Sequence, residues 1–292
     1  MIVVAGGSGL LGRIVVQDLL TRGETVRAVV RDAQRAKEVL GPDVEVVTAD
    51  VRHAEEIREA VQGASVVVSA LHGFLGGRGA GPAEVDGIGN RHLTEAAVAG
   101  GADVVLVSIL GAAATSAVDL FRAKFLAELE LRSSGVAWTI VRSCPFLETW
   151  LRILAQTAGK SGRPLVFGRG ELPIPFVSVV DVAAVVVDAT TQPGRRGQVL
   201  EVSGPEVTMN DLALALQAHE EWAGAIRHLP RPLLRALTVL ARPVYPAFAR
   251  QNLTALEMDT VPLPGGITPV SPLGSARRSV ADVLAGTSCG GR

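Results

Sequence analysis

Ile2-Val-Val-Ala5 runs straight into Gly6-Gly-Ser-Gly9-Leu-Leu-Gly12, and the reading of this stretch decides the fold. Four apolar residues form a short strand pattern, and an amphipathic run begins just past the glycines. In such a setting the first glycine turns the chain sharply out of the strand. Gly9 removes the Cβ where backbone would approach a pyrophosphate, and Gly12 lets the following helix pack close. The phosphate would rest on free N–H groups at the positive end of that helix. The glycines are spaced three and three, not two and three as in the usual dehydrogenase fingerprint. Glycines also gather in ordinary turns, but a strand before and a helix after is the context the fingerprint requires.

Working outward, short β-branched runs alternate with longer amphipathic ones. Strands are expected over 2–5, 25–30, 44–48, 65–70, 104–108 and 136–141. Helices are expected over 10–21, 33–40, 53–61, 84–99 and 119–133. Near-continuous apolar strands separated by helices imply an α/β fold, a doubly wound parallel sheet covered on both faces. After Val141 the rhythm changes, because Pro145, Pro164, Pro173 and Pro175 interrupt it. Strands over 164–167 and 198–202 and helices over 179–190 and 209–218 suggest a small mixed α/β region on the substrate side. The expected division is a dinucleotide-binding core over 1–142, a smaller region over 143–259 and a Gly/Pro/Ser-rich tail over 260–292, with a short helix near 279–284.

Composition narrows the function. The chain has 292 residues, 48% hydrophobic and 20% charged, which is an ordinary folded protein. A net charge of -1 and 4% aromatics argue against nucleic acid as a partner. No uncharged apolar run approaches the ~20 residues of a membrane span. Two cysteines, Cys144 and Cys289, fit no metal or redox spacing, and with no leader pattern they point to a reducing, cytoplasmic setting. One stretch stands out: Trp222 to Leu256 holds five arginines and no Asp or Glu. With Arg227, Arg231 and Arg235 four apart on one helical face, it reads as a contact for an anionic partner or membrane surface, or as a surface helix pairing with carboxylates elsewhere. The prolines at 230, 232, 243 and 246 favour the second.

At the end of the second strand, Arg31 stands where an acid would bind the ribose 2′-hydroxyl of NAD and an arginine would accommodate the 2′-phosphate of NADP. Guanidinium suits bidentate phosphate contact, so NADP(H) is expected, with NAD(H) as the alternative that Asp32 supports. Ser8, Leu10 and Leu11 in the glycine loop, Asp50 and Val51 after the third strand, and Ala70 and Leu71 after the fourth complete the expected cofactor set with Gly6, Gly9, Gly12 and Lys124. Asp50 reads equally as a helix N-cap. The Gly-rich stretch from Leu71 to Pro82 reads as a lid or a plain crossover loop.

These residues, with Asp86-Gly-Ile-Gly-Asn90, Leu106-Val-Ser108, Phe121-Arg-Ala-Lys124, Ser134-Gly-Val and Pro175-Phe-Val-Ser-Val-Val-Asp181, resemble the NmrA-like, atypical short-chain dehydrogenase/reductase family over about residues 1–260. The resemblance implies a Rossmann domain followed by a small substrate domain. Better-known short-chain dehydrogenases carry Tyr-x-x-x-Lys, one helical turn apart, so that Lys lowers the phenol pKa. Here Lys124 has Leu120 four residues before it, and the single tyrosine is Tyr245. Ser108 is expected to face the cofactor crevice. Lys124 is expected either to hold the nicotinamide ribose or, as the resemblance implies for some reductases, to move the proton. His72, Pro145, Phe146 and Trp150 are candidate substrate contacts, Asn90 a helix or water anchor, and Arg142 and Asp181 a structural pair. No metal site is expected. The two functional readings are an oxidoreductase moving hydride to a small apolar substrate, and a non-catalytic NADP(H) sensor acting through a protein. A small molecule is the expected partner, and a homodimer is an option.

Overall fold

The computed structural model describes residues 1–42, 44–262 and 278–286. Most of the tail expected over 260–292, Cys289 included, lies outside them. The first half alternates strand and helix: β1 (Ile2–Ala5), α1 (Leu10–Thr21), β2 (Val26–Val30), α2 (Ala33–Leu40), β3 (Glu45–Thr48), α3 (Ala54–Val61) and β4 (Val66–Ser69). A π-helical turn (Ala83–Ile88) leads into α4 (Gly89–Gly100), then β5 (Asp103–Ile109), α5 (Asp119–Ser133) and β6 (Trp138–Ser143). The second half adds α6 (Leu147–Ala158), β7 (Leu165–Phe167), β8 (Ile174–Pro175), α7 (Val179–Thr191), β9 (Gln198–Val202), β10 (Glu206–Val207) and α8 (Met209–His219). It ends with β11 (Arg227–Leu229), α9 (Arg231–Ala241), α10 (Pro246–Thr260) and α11 (Val280–Gly286).

Seven strands form one sheet in the order β3-β2-β1-β4-β5-β6-β9. The pairs β1–β2, β1–β4, β2–β3 and β4–β5 are parallel, with Val3 opposite Arg27 on one side and Val67 on the other. Every residue of β1 and β4 is buried. That explains why these strands are continuous apolar runs and not alternating ones: both faces are covered. The chain winds outward from β1 to β3 and restarts at β4 on the other side, so the β1/β4 boundary is the switch point at which such sheets bind ligands beyond their carboxyl ends.

The chain divides into two compact units. The first contains Met1–Arg142 and Val182–Glu201, and the second Ser143–Asp181 and the residues from Val202 on. The core of the first includes Val3, Val29, Val67, Leu93, Leu106 and Ile140. The core of the second gathers Leu147, Leu154, Val166, Phe176, Leu212 and Leu216. Each fully buried aliphatic side chain contributes about 1.5–3 kcal/mol relative to exposure.

Three local expectations change. The helix expected over 84–99 begins as a π turn, with the Asn90 amide donating to the Asp86 carbonyl at 2.7 Å. Helix α6 was hidden behind Pro145, although Leu147, Leu151, Leu154 and Ala158 carry its buried stripe. Arg227 lies on β11, not on a helix, so it shares no helical face with Arg231 and Arg235.

Candidate functional site

The β1–α1 turn is built from backbone. Gly6 has a φ of 80°, a left-handed conformation that favours glycine. Its N–H donates to the Val29 carbonyl at 3.0 Å, and the Gly9 N–H donates back to the Gly6 carbonyl at 2.9 Å. A Cβ on Gly6 would stand 2.8 Å from the Ala70 carbonyl oxygen, and one on Gly12 would stand 2.2 Å from the Gly6 oxygen. Gly12 is therefore tied to the close seating of α1 on the turn. Gly9 is different. It is the N-cap residue of α1, exposed, with an ordinary φ of -74° and no side chain capping the helix. The α1 N-terminus, from Gly9 into Leu10, Leu11 and Gly12, therefore begins at an exposed glycine with no side chain capping its first-turn N–H groups. Such a cradle fits a dinucleotide pyrophosphate. Ser8, half-buried, sits on the same turn.

At the end of β2, Arg31 and Asp32 separate in role. Asp32 caps α2, its carboxylate accepting from the Arg35 N–H at 3.0 Å. Arg31 is exposed, and among the described residues no carboxylate pairs with it.

At the end of β3, Asp50 does not cap α3, whose N-cap is His53. Its carboxylate grips Arg52, with Oδ1 2.9 Å from Nε and Oδ2 2.5 Å from Nη2. Hydrogen bonding from the Arg52 side chain is the chief reason its pKa falls to about 2, against partial burial that raises it. Arg52 also donates from Nη1 to the Gly79 carbonyl at 2.6 Å, so this pair holds the Gly-rich loop. Val51 is buried, and its carbonyl lies 2.8 Å from His92 Nδ1.

That loop is folded on itself. A Cβ on Gly73 would meet the Gly81 carbonyl at 2.7 Å, and one on Gly76 the Ala80 carbonyl at 1.6 Å. Ala70 and Leu71 lead into it from β4, and the Gly73 N–H donates to Asp86 Oδ2 at 2.7 Å. His72 stacks on Phe74 with centroids 5.8 Å apart. Its imidazole pKa is pushed below the usual value, first by lost hydration among dense protein, with Asp86 pulling it up and Lys124 pushing it down. More than a third of the residue still meets solvent, so lost hydration is incomplete.

The β5–α5 layer departs most from expectation. Along α5, Leu120, Ala123, Lys124, Ala127, Glu128 and Leu131 form one buried stripe, with two charges set in it. Lys124 is 2% exposed. Its Nζ lies 2.9 Å from the Leu71 carbonyl, 2.8 Å from the Val107 carbonyl and 3.0 Å from Asp86 Oδ1. Two of the three N–H donors of the ammonium go to these carbonyls, and Asp86 Oδ1 completes the surroundings as a buried ion-pair partner that accepts no hydrogen bond among the described residues. Ser108, fully buried, donates to Glu128 Oε1 at 2.6 Å instead of facing a crevice. Glu128 is further held by Arg142, Nε at 2.9 Å and Nη2 at 2.6 Å. The expected Arg142–Asp181 pair is therefore replaced: Arg142 also bonds Glu201 at 3.3 Å, while Asp181 accepts from the Arg278 N–H at 3.0 Å. Asn90, buried, accepts from Ser69 Oγ at 2.5 Å while holding the π turn.

Asp86, Arg52 and Glu128 were not singled out from the sequence as parts of these networks. A signal for Glu128 was present, since two charges four apart within an apolar helical stripe require buried partners. The ion-pair partner of Asp86 lies 38 residues away, and although Asp50 is a near neighbour of Arg52, the Gly79 carbonyl that Arg52 holds lies 27 residues on, so neither long contact is marked locally.

In the second unit, Pro145 accepts from the Val177 N–H at 3.0 Å and Phe146 bridges to Val177. Trp150 packs edge-on to Phe176 at 6.4 Å. The cavity beside it, with Met209, Ala255 and Met258 in its walls, holds only about 10 Å³, room for about one water. Asp259 anchors this unit's 168–170 loop, accepting from the Arg169 and Gly170 N–H groups and from Arg231 Nε at 2.6 Å.

A family model described as NAD(P)H-binding matches residues 6–193. An NAD(P)H azoreductase from Xenophilus azovorans is 30% identical over 277 residues, covering 90% of this chain and 92% of that protein. A (4-alkanoyl-5-oxo-2,5-dihydrofuran-3-yl)methyl phosphate reductase from Streptomyces griseus is 32% identical over 235 residues, covering 80% of this chain and 75% of that one. Among solved structures, an NADPH-dependent quinone oxidoreductase from Escherichia coli, complexed with NADPH, superposes with a TM-score of 0.78 at 21% identity, covering 98% and 99% of the two chains. At that identity the likeness speaks for the fold.

Proposed function

The chain belongs to the NAD(P)H-binding family, as a Rossmann protein of the atypical short-chain dehydrogenase type, and from that premise we propose that it is an NADPH-dependent reductase of electron-poor, fairly apolar acceptors of the quinone or azo class. When bound, NADPH supplies the hydride. The exposed Gly9 cradle supports pyrophosphate binding, and the unpaired Arg31 beside a spent Asp32 supports the 2′-phosphate of NADP over NAD.

The observation that carries the substrate class is the inward commitment of Lys124 and Ser108. A ketone that accepts hydride becomes an alkoxide and needs a positioned acid to protonate it. The chain has one tyrosine, Tyr245, and it stands exposed on the α9–α10 turn. A quinone that accepts hydride becomes a phenolate instead, as does a hydroxyl-bearing azo dye reacting as its quinone-hydrazone tautomer, and the conjugate acid of a phenolate has a pKa of about 10, within reach of protonation by water. Bound NADPH would supply a proton and two electrons together as hydride, and the phenolate left on the acceptor would take its second proton from solvent. His72, with its pKa lowered, keeps one N–H donor while neutral, from which a substrate carbonyl can accept. Pro145, Phe146 and Trp150 remain proposed substrate contacts.

The same inward commitment supports a second reading, a sensor that binds NADPH without turning it over. Steady-state NADPH oxidation with a benzoquinone, an azo dye and a simple ketone decides between them. Turnover on the first two with little on the ketone is expected. Tight NADPH binding with no turnover on any acceptor selects the sensor, and robust ketone reduction overturns the account of the missing acid.

A further inference from the structure

Residues 239–248 close the α9–α10 hairpin, and they are unusual for a turn. Val239, Leu240, Val244, Tyr245 and Phe248 all lie within these ten residues, and their exposure runs from 43% at Phe248 to 74% at Leu240. The turn itself is tight, with the Val244 and Tyr245 N–H groups both donating to the Ala241 carbonyl, at 3.1 and 2.7 Å. These side chains are gathered at the tip, with an exposed apolar area on the order of several hundred Å², a size that on monomers often serves a function. Only Leu234 of α9 is buried.

The charge around the tip is one-sided. Of the five arginines in this acid-free stretch, Arg227 is spent on the Arg163 and Thr157 carbonyls and Arg231 on Asp259. Arg235 and Arg242 are exposed, seven residues apart and so on one helical face, and among the described residues no carboxylate pairs with either.

We propose that this hairpin tip docks the chain on the surface of an anionic lipid bilayer. The inference goes beyond the reductase reading and does not rest on it. An apolar patch rimmed by unpaired arginines matches a surface with negative headgroups over a hydrocarbon layer. Tyr245 suits the boundary between the two, where a ring can be buried and a hydroxyl kept wet. At 11 residues, α9 is too short to cross a bilayer, so the hairpin lies on it. A second copy of the chain is the poorer occupant. It would bring an identical arginine-bearing tip to a symmetric contact, and the patch falls short of the ~800 Å² per partner of a standard interface.

The test is co-sedimentation of the full chain with vesicles of phosphatidylcholine alone and of phosphatidylcholine with phosphatidylglycerol. The expected result is binding to the anionic vesicles about tenfold or more tighter than to the neutral ones, weakening at about 1 M salt. The double variants Leu240→Asp/Val244→Asp and Arg235→Glu/Arg242→Glu should each lose about tenfold or more. Both should keep the wild-type circular dichroism and NADPH affinity, because the tip takes no part in the dinucleotide loop. Absence of wild-type binding, equal binding to neutral and anionic vesicles, or unchanged binding by either folded variant overturns the proposal. So does a sedimentation-velocity dimer that Leu240→Asp/Val244→Asp dissolves while the wild type ignores vesicles, which would make a second copy the occupant.

Discussion

At the β1–α1 turn the chain works with backbone atoms, and along α5 it works with charged side chains. The turn needs glycines at set places because carbonyls and amides approach within contact distance, as Gly12 does at the Gly6 oxygen. The helix needs Lys124 and Glu128 because distant groups require them: the Leu71 and Val107 carbonyls and the Asp86 carboxylate face the ammonium, and the Ser108 hydroxyl and the Arg142 guanidinium donate to the carboxylate. A backbone site announces itself in the local sequence through missing side chains. A side-chain site does not, because the same lysine serves a ribose, a proton or a buried carboxylate according to partners that local sequence does not reveal.

The largest effect expected from breaking this contrast is at Lys124. Lys124→Met leaves Asp86 buried, charged and half-partnered, and removing one member of a buried pair costs about 3–5 kcal/mol. Thermal unfolding should drop by about 10 °C or more, and the Lys124→Met/Asp86→Leu double variant should recover part of that. If Lys124→Met unfolds like the wild type while turnover falls by about 10²–10⁴ with NADPH affinity kept, the lysine is the acid and the α5 layer is a catalytic one.

Within the turn, two glycines should separate. Gly12→Val drives side-chain atoms into the Gly6 carbonyl and should destabilise the fold by about 1–3 kcal/mol or more. Gly9→Val has only one close neighbour, the Gly6 oxygen at 3.1 Å, and no positive φ to strain. It should fold and lose NADPH binding by about 10²-fold, the worth of one or two charge-assisted hydrogen bonds. Circular dichroism with fluorescence titration measures both, and a folded Gly9→Val chain with normal affinity removes the loop from the binding site.

How much was legible follows the same division. The doubly wound sheet was, because β1 and β4 are buried on both faces and write that burial as the runs Ile2-Val-Val-Ala5 and Val66-Val-Val68. So was the spacing of α1, α2 and α5, whose buried stripes repeat every three to four residues. The inward turn of Ser108 was not, since period alone cannot say whether a strand-end hydroxyl meets a crevice or a glutamate 20 residues on. Helix α6 was missed because Pro145 was taken to end the regular pattern, although a proline just before a helix is well tolerated.

Arg31 sharpens the comparison from the other side, as a side chain with no protein partner. Arg31→Ala should reduce NADPH affinity by about ten- to a hundredfold, one charge-assisted contact, with NADH affinity nearly unchanged. Calorimetric titration with both cofactors gives the ratio. A wild type that prefers NADH transfers the choice to Asp32 despite its capping bond to the Arg35 amide.

Asp50 gives the smallest effect and the finest distinction, because it is a side chain whose work is to hold backbone. It does not cap α3, and its carboxylate fixes Arg52, which holds the Gly79 carbonyl of the Gly-rich loop. Arg52 keeps its folded pKa at about 2, below the ordinary 3.8. A carboxylate depressed in this way stabilises the fold above its unfolded pKa, and that stability is lost as protons neutralise it on the way down to the folded pKa. Asp50→Asn should therefore be less stable than the wild type at neutral pH. The gap should close as pH falls through the window from about 4 to about 2. Because the pair meets solvent, the gap should be below about 1 kcal/mol at moderate salt and smaller at high salt. Urea unfolding across that range reads it directly. A gap that persists unchanged to pH 2 would mean that Asp50 matters through its shape and hydrogen bonds alone, and the charge of the pair would then contribute nothing to holding the loop.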